Sequence, residues 1–446
     1  MGEGLITRRG GSGSQEMYRV GDIKTTVRTD LGDDWVLCNG DYFKEDDYPV
    51  YAKVCPDMLS LEYGSESIRI NQYAPCGLAS GGGYQVAFCR ATRSGSGSTT
   101  YYGVCYSNDN FETYTCYHPV NANGGYIIEP SSLDSNNIII RYIDGKWFLV
   151  YVIYNNNKYN INTYYTTDIT NPRSWIKCCD NIPNIKQIFD VWEENNKTYI
   201  ACLVNNNPSI FILNSITEIT GSIVTNSVLN PQGCITSFVR GNGYYAFIDT
   251  ESSSGGSLKG VFCGDDIYSS SWTYVPISFD NTTFTNNTAL QYQDNIWYIT
   301  GYVSLILDTD GVNKEYYCPA IAYTSNITNG NFTVTYKKDW SYTDKLNYLY
   351  WGVFARGKFF AIGNLYTDKS SYAIYLLEDI TDPDTWRRIT TPLSTSRYTN
   401  GMPCYKPMIS DTCILFLNSS EYMYRFPMYA FPIINEFGCN TYIKIR

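Results

Sequence analysis

The 446 residues carry 33 Lys and Arg against 43 Asp and Glu, a formal charge of -10 that argues against nucleic acid or an anionic membrane as partner. Tyr is the outstanding residue, with 43 copies; aromatics reach 16% and charged residues only 17%, a profile of strands, turns and wet aromatic surfaces rather than helices. The start lacks a signal-type apolar stretch, and no run of about 18 apolar residues occurs anywhere, so the expectation is a soluble chain made in a cytoplasm.

In chain order, Gly2 suggests myristoylation, but Ile6 stands where that motif needs Ser or Thr. "RRGGSGSQE" reads as an extended arm or flexible leader. Next comes "VGDIKTTVRTDLGDDWVLCNGDYFKEDDYPVYAKV", where Gly21, Ile23, Trp35, Leu37, Cys38, Asn39, Gly40, Tyr48 and Pro49 form a recognisable constellation. It resembles the phage tail-collar module, with its Gly-x-Ile opening, Trp-x-x-Cys-(Asp/Asn)-Gly core and Tyr-Pro pair before a short apolar helix. Gly32, Asp33 and Asp34 replace the usual Pro-x-Gly before the Trp, so this is a variant. The resemblance implies a bacteriophage virion protein, its residues 1–60 docked on other tail or capsid proteins in a symmetric assembly and its residues 61–446 displayed outward.

From residue 61 onward two lattices repeat. Tight-turn dipeptides are followed by aromatic-rich strands whose early residues are Tyr84, Trp147, Tyr199, Tyr244, Trp297, Phe359 and Cys413. Between them recur "SNDNFETY", "DITNPRSW", "SITEITGSI", "DIYSSSW", "NITNGNF" and "DITDPDTW", with Phe111, Trp175, Ile223, Trp272, Phe332 and Trp386 as equivalent anchors. Both lattices have a period of about 55 residues, and each unit reads as four short antiparallel strands, the signature of a β-propeller blade. Seven hairpins predict an all-β, seven-bladed β-propeller; two packed sandwiches are the rival, though they do not explain the period. The last blade draws on "CYKPMISD", "CILFLN", "EYMYRFPM" and "NTYIKIR", and the sequence leaves open whether the C-terminal strand or one near residues 61–72 seals the ring.

Asp168 and Asp379 are placed to accept backbone N–H bonds in Asx-turns, Pro172 and Pro383 to fix φ, and the following Trp to open an outermost strand and pack between blades. These turns resemble the Asp-box of sialidase-like propellers, with Ser107, Asp109, Thr113 and Tyr114 the nearest match and Phe111 where that box has Gly. The resemblance implies an architectural role.

Fifteen Cys without CxxC or Cys/His spacing, several of them (Cys38, Cys89, Cys105, Cys202, Cys413) inside apolar runs, read as buried thiols rather than disulfides or metal ligands. His118 is the single histidine and has no partner for a triad or zinc site. Asp190 is the one acid in a predicted innermost strand, and one carboxylate makes no glycosidase mechanism. Arg69 in "SIRIN" approximates only the start of a sialidase pattern, and Arg240 and Arg356 fall in or beside hairpin turns. Asp308, Asp310, Gly311 and Glu315 loosely resemble a calcium loop but read better as a hairpin tip. Tyr101, Tyr102, Tyr164 and Tyr165 could stack on sugars, but strand alternation turns half of any such set to a blade interface, so they read as packing residues. The expectation is therefore no catalytic, cofactor or metal residues, and a propeller for attachment to a host-surface glycan or protein. A carbohydrate-active or lectin-like propeller is the alternative.

Overall fold

In a computed structural model, the structure describes residues 18–55, 66–69, 74–93, 99–128, 133–155, 158–217, 221–225, 234–251, 258–269, 272–281, 283–286, 290–309, 312–337, 346–365, 371–388, 393–394, 407–410, 412–417, 422–434 and 439–446. The chain divides into two compact units, Met1–Met58 with Pro427–Arg446, and Leu59–Phe426.

The first unit is a three-stranded sheet in which Asn440–Lys444 lies between Ile23–Thr26 and Trp35–Leu37. Pro49 opens the four-residue helix Pro49–Ala52, where its fixed φ suits the first turn and its missing N–H costs nothing. Tyr51, fully buried, stacks on Phe431, which in turn stacks on Phe43. Gly40 takes φ 87, and a Cβ there would meet Ile433 Cγ1 at 2.7 Å. "NTYIKIR", expected in the last blade, instead supplies the strand that completes this small sheet.

The second unit is a β-propeller, as the repeat predicts. Among the described residues it contains seven sheets, antiparallel apart from the short parallel pairing of Ser278–Phe279 with Asn331–Tyr336, and six of them are built around strands consecutive in sequence. Six of the first-to-second-strand turns have two consecutive positive-φ residues: Gly82-Gly83, Asp144-Gly145, Asn195-Asn196, Asn242-Gly243, Asp294-Asn295 and Arg356-Gly357. That is the type I′ turn, whose twist matches the flanking strands and which selects Gly, Asn and Asp. Each of Tyr84, Trp147, Tyr199, Tyr244, Trp297, Phe359 and Cys413 begins, or lies within two residues of the start of, a second strand.

Ring closure, open in the sequence, is decided by Glu66–Arg69. It pairs antiparallel with Tyr422–Pro427, giving the seventh sheet the order Met408–Ile409, Cys413–Leu417, Tyr422–Pro427, Glu66–Arg69. The last sheet thus borrows its fourth strand from ahead of the first sheet. Ala87, Cys89, Cys105 and Phe111 of the first sheet bury one cluster with Cys413 and Leu415 of the seventh.

The outer turns act as joinery. Asp168, Asp266, Asn326 and Asp379 each accept the backbone N–H two residues on, from Thr170, Tyr268, Thr328 and Thr381, at 2.8 to 3.0 Å. Ser215 does the same for Thr217 at 3.2 Å. The intervening Ile169, Ile216, Ile267 and Ile327 are buried. Trp175 Nε1 donates to Tyr117 Oη in the neighbouring sheet at 3.2 Å, and that hydroxyl donates to the Ile169 carbonyl at 2.7 Å. Ile223 is not an anchor, being 39% exposed. Its register places Gly221 where other sheets carry Trp, and the Phe211 ring fills the space, 2.5 Å from where a Cβ would stand.

Cys105 also departs from expectation. It lies directly opposite Cys116 on adjacent strands and forms a disulfide with it, because the paired register brings the two Cα atoms to 4.1 Å. Cys38, Cys89, Cys202 and Cys413 are buried free thiols, and burial pushes the thiols of Cys38 and Cys413 up to about 11 and that of Cys202 up to about 12.

Candidate functional site

Three consecutive innermost strands, Leu133–Ile143, Ile185–Glu194 and Cys234–Gly241, carry Arg141, Asp190 and Arg240. The pairing of Ile185–Glu194 with its neighbour shifts register between Ile188 and Asp190, a bulge of the kind that re-aims a side chain. Asp190 Oδ1 accepts from Arg141 Nη2 at 3.2 Å, and Oδ2 lies 3.6 Å from Arg240 Nε. Their side chains are 41%, 22% and 37% exposed in the order Arg141, Asp190, Arg240, so each ion pair contributes only about 0.2–1 kcal/mol. The arrangement orients the groups more than it stabilises the fold.

Arg240 continues the site outward. Its guanidinium carbon sits 4.5 Å from the Trp192 ring centroid, a cation–π arrangement, and Trp192 stacks on Tyr199 and Phe238 with centroids 5.3 Å apart in both pairs. Glu194 Oε2 accepts from Tyr245 Oη at 2.8 Å and from Trp192 Nε1 at 3.3 Å. Tyr199 Oη lies 2.9 Å from Tyr268 Oη, and Lys197 Nζ is 3.4 Å from that same hydroxyl. Burial, then the Glu194 contact, pushes the Tyr245 hydroxyl up to about 12; burial and the Tyr268 contact push Tyr199 up as well. Both hydroxyls therefore keep their protons at neutral pH; Tyr245 donates its proton to Glu194, and either hydroxyl of the Tyr199–Tyr268 pair can donate to the other.

Towards the preceding sheet the same pattern continues. Lys146 Nζ meets Asp144 Oδ2 at 2.7 Å, and the Asp144 backbone N–H donates to Glu193 Oε2 at 3.1 Å. Across three sheets acids and cations thus lie side by side, Asp190 between Arg141 and Arg240 and Asp144 between Lys146 and Glu193. A two-carboxylate hydrolase needs an acid and a second carboxylate facing one gap. Here Asp190 is engaged by two guanidinium groups, Glu193 by a backbone amide, and Glu194 by the Tyr245 hydroxyl and the Trp192 ring N–H.

The other sequence candidates disperse. Asp190 is in the innermost strand as expected, whereas Arg240, expected at a blade edge, is the partner of Asp190. Arg141, Trp192 and Glu194 were missed; nothing local marks them, because they meet only across sheets. Arg356 takes the first position of the turn Arg356-Gly357, with φ 51, between Leu346–Ala355 and Lys358–Leu365 of a different sheet. Tyr102 and Tyr164 are buried in the cluster between the first two sheets and Tyr165 packs against the next seam, so these three are packing residues. His118 Nδ1 lies 2.9 Å from the Tyr102 carbonyl, an edge position. Asp308 pairs with Asn313 in the hairpin Ile296–Thr309/Val312–Thr324; Asp310 and Gly311, like the side chains of Arg69, Tyr101, Asp308 and Glu315, lie outside the described residues. Among the described residues, no group of three or more His, Cys, Asp or Glu could hold a metal.

No protein-family model matches the chain, and no curated protein does. Among solved structures it is similar to the phage phi92 endosialidase (9% identity, TM-score 0.39, 84% of this chain and 70% of that one). It is also similar to the β-propeller domain of the trilobed protease from Pyrococcus furiosus (9%, TM-score 0.44, 82% and 99%). A third is an α-L-arabinofuranosidase from Fusarium graminearum (8%, TM-score 0.40, 85% and 97%). At these identities nothing of their chemistry passes to this chain.

Proposed function

We propose that the chain is a bacteriophage virion protein, made in the host cytoplasm, whose small unit docks on other particle proteins and whose propeller is displayed for attachment to the host surface. The observation that carries this reading is the insertion of the propeller, Leu59–Phe426, between the two halves of a compact unit formed by Met1–Met58 and Pro427–Arg446. Such an insertion joins the two units through two covalent connections, which suits an anchored display. The small unit also exposes Val27, Val50, Val54 and Ile433, each more than half open to solvent, which suits a protein partner. The collar-like residues Gly21 to Pro49 support the same reading as a resemblance only.

Two measurements test it. Antibody against the full chain should decorate purified particles at one structural position, and the full chain should adsorb to host cells and compete with particle adsorption. Failure of both ends the proposal. A glycan-degrading propeller is the second reading, favoured by the Asp190 carboxylate among arginines. Release of reducing ends from host polysaccharide by the full chain, lost in Asp190→Ala, would replace attachment by catalysis.

A further inference from the structure

We infer that the strip running from Asp190 to Tyr268 is a binding site for a neutral, hydroxyl-rich sugar. This rests on the attachment reading for its biological setting but not for its chemistry. Three features select the ligand class.

Charge comes first. Asp190 lies between Arg141 and Arg240, and Glu194 holds the Trp192 ring that Arg240 covers, so a ligand of either net charge meets repulsion as well as attraction. A sugar hydroxyl both donates and accepts, and it is served by a donor and an acceptor set side by side. Arg240 and Glu194 flank the same Trp192, one through its guanidinium 4.5 Å from the ring centroid and the other through Nε1 at 3.3 Å.

Unused capacity comes second. Arg240 approaches Asp190 through Nε, and its side chain remains 37% exposed, with no hydrogen bond from its terminal nitrogens among the described residues. Among the described residues Glu194 is engaged only through Oε2, which leaves Oε1 as an acceptor. Both groups are held in place by stacking and hydrogen bonds before any ligand arrives, which lowers the entropic cost of binding.

An aromatic platform comes third. Tyr268 is 52% exposed although its hydroxyl is fixed by Tyr199 and its ring lies 5.5 Å from Lys197 Nζ. An oriented, half-open ring offers apolar area to the C–H face of a pyranose while the neighbouring polar groups take its hydroxyls.

The test is affinity electrophoresis of the full chain in gels containing a neutral polysaccharide panel (dextran, galactan, glucomannan) or an acidic one (polygalacturonate), with Tyr268→Ala and Glu194→Gln alongside wild type. At least one neutral polymer should retard wild type, polygalacturonate should not, and each variant should weaken the retardation about tenfold. Unchanged circular dichroism and melting temperature certify that the variants fold; if one does not, the other decides. Retardation by polygalacturonate alone, by no polymer, or equally in wild type and both variants overturns the inference. Parallel adsorption of the full chain to host cells separates the two proposals: cells bound without any sugar retardation leaves attachment standing and removes this site, and the reverse result does the opposite.

Discussion

Arg425 Nη1 donates to Glu112 Oε1 at 3.2 Å across the seam between the seventh and first sheets of the propeller. The arginine is 4% exposed, and the same nitrogen lies 3.4 Å from the Asn110 carbonyl and 3.5 Å from that of Asp109, while Asn110 Nδ2 donates to Thr412 Oγ1 at 2.6 Å. The seam is thus locked by a buried cation turned onto the backbone of the Asp-box-like turn.

Arg425→Met should therefore destabilise the protein by roughly 2–3 kcal/mol, since it strips a charged donor from buried carbonyls. Glu112→Gln should change stability little, because Glu112 is 58% exposed and its share of the pair is screened by solvent. Urea unfolding of both variants checks this; equal losses would mean the ion pair rather than the backbone contact holds the seam.

Asp109 is expected to make this turn pH-sensitive. Partial burial opposes its ionisation, but hydrogen bonds from Ser107 and from Thr113 outweigh that and hold its carboxyl below the ordinary range. A group with a depressed folded-state pKa contributes stability above its unfolded value, about 3.9, and loses it as pH falls through the lower folded value. The stability gap between wild type and Asp109→Asn should be full at pH 7 and close below about pH 4; a gap independent of pH would refute the assignment.

Gly221→Ala should destabilise by about 1–3 kcal/mol, an overpacking cost, because the new methyl would meet Phe211 Cζ at 2.5 Å and the Ile212 carbonyl oxygen at 2.6 Å. The double variant Gly221→Ala/Phe211→Leu should recover part of the loss. Thermal melts of the two decide whether the ring or the backbone sets the limit.

Tyr117→Phe removes the hydroxyl that joins Trp175 Nε1 to the Ile169 carbonyl. Leaving both partners unsatisfied should cost about 1–3 kcal/mol. Hydrogen exchange should show faster opening at Trp175 and Ile176 than in wild type, and an unchanged exchange pattern would remove this bond from the joinery.

The strands, their turns and their repetition were legible in the sequence because each is enforced within a few residues. Asp144-Gly145 and Asn242-Gly243 favour the type I′ turn by their tolerance of positive φ, and Asp168 or Asn326 accepts a bond from the residue two places on. Wherever a partner came from far along the chain, local chemistry was silent. Glu66–Arg69 reads as any short strand, and only its pairing with Tyr422–Pro427 makes it the closing strand; Asn440–Lys444 reads as a blade strand until it pairs with Ile23–Thr26. Gly221 carries no mark of a Trp position until Phe211 fills the space. Asp190 was visible as an acid in an inner strand, but the arginines beside it come from sheets on either side and nothing in their own neighbourhoods announces them. Sequence alone determined what each repeat is, through short-range sterics and hydrogen bonds. Tertiary structure decided which repeats meet and which side chains face one another, since sheet packing and ring closure depend on register between segments that the chain itself holds far apart.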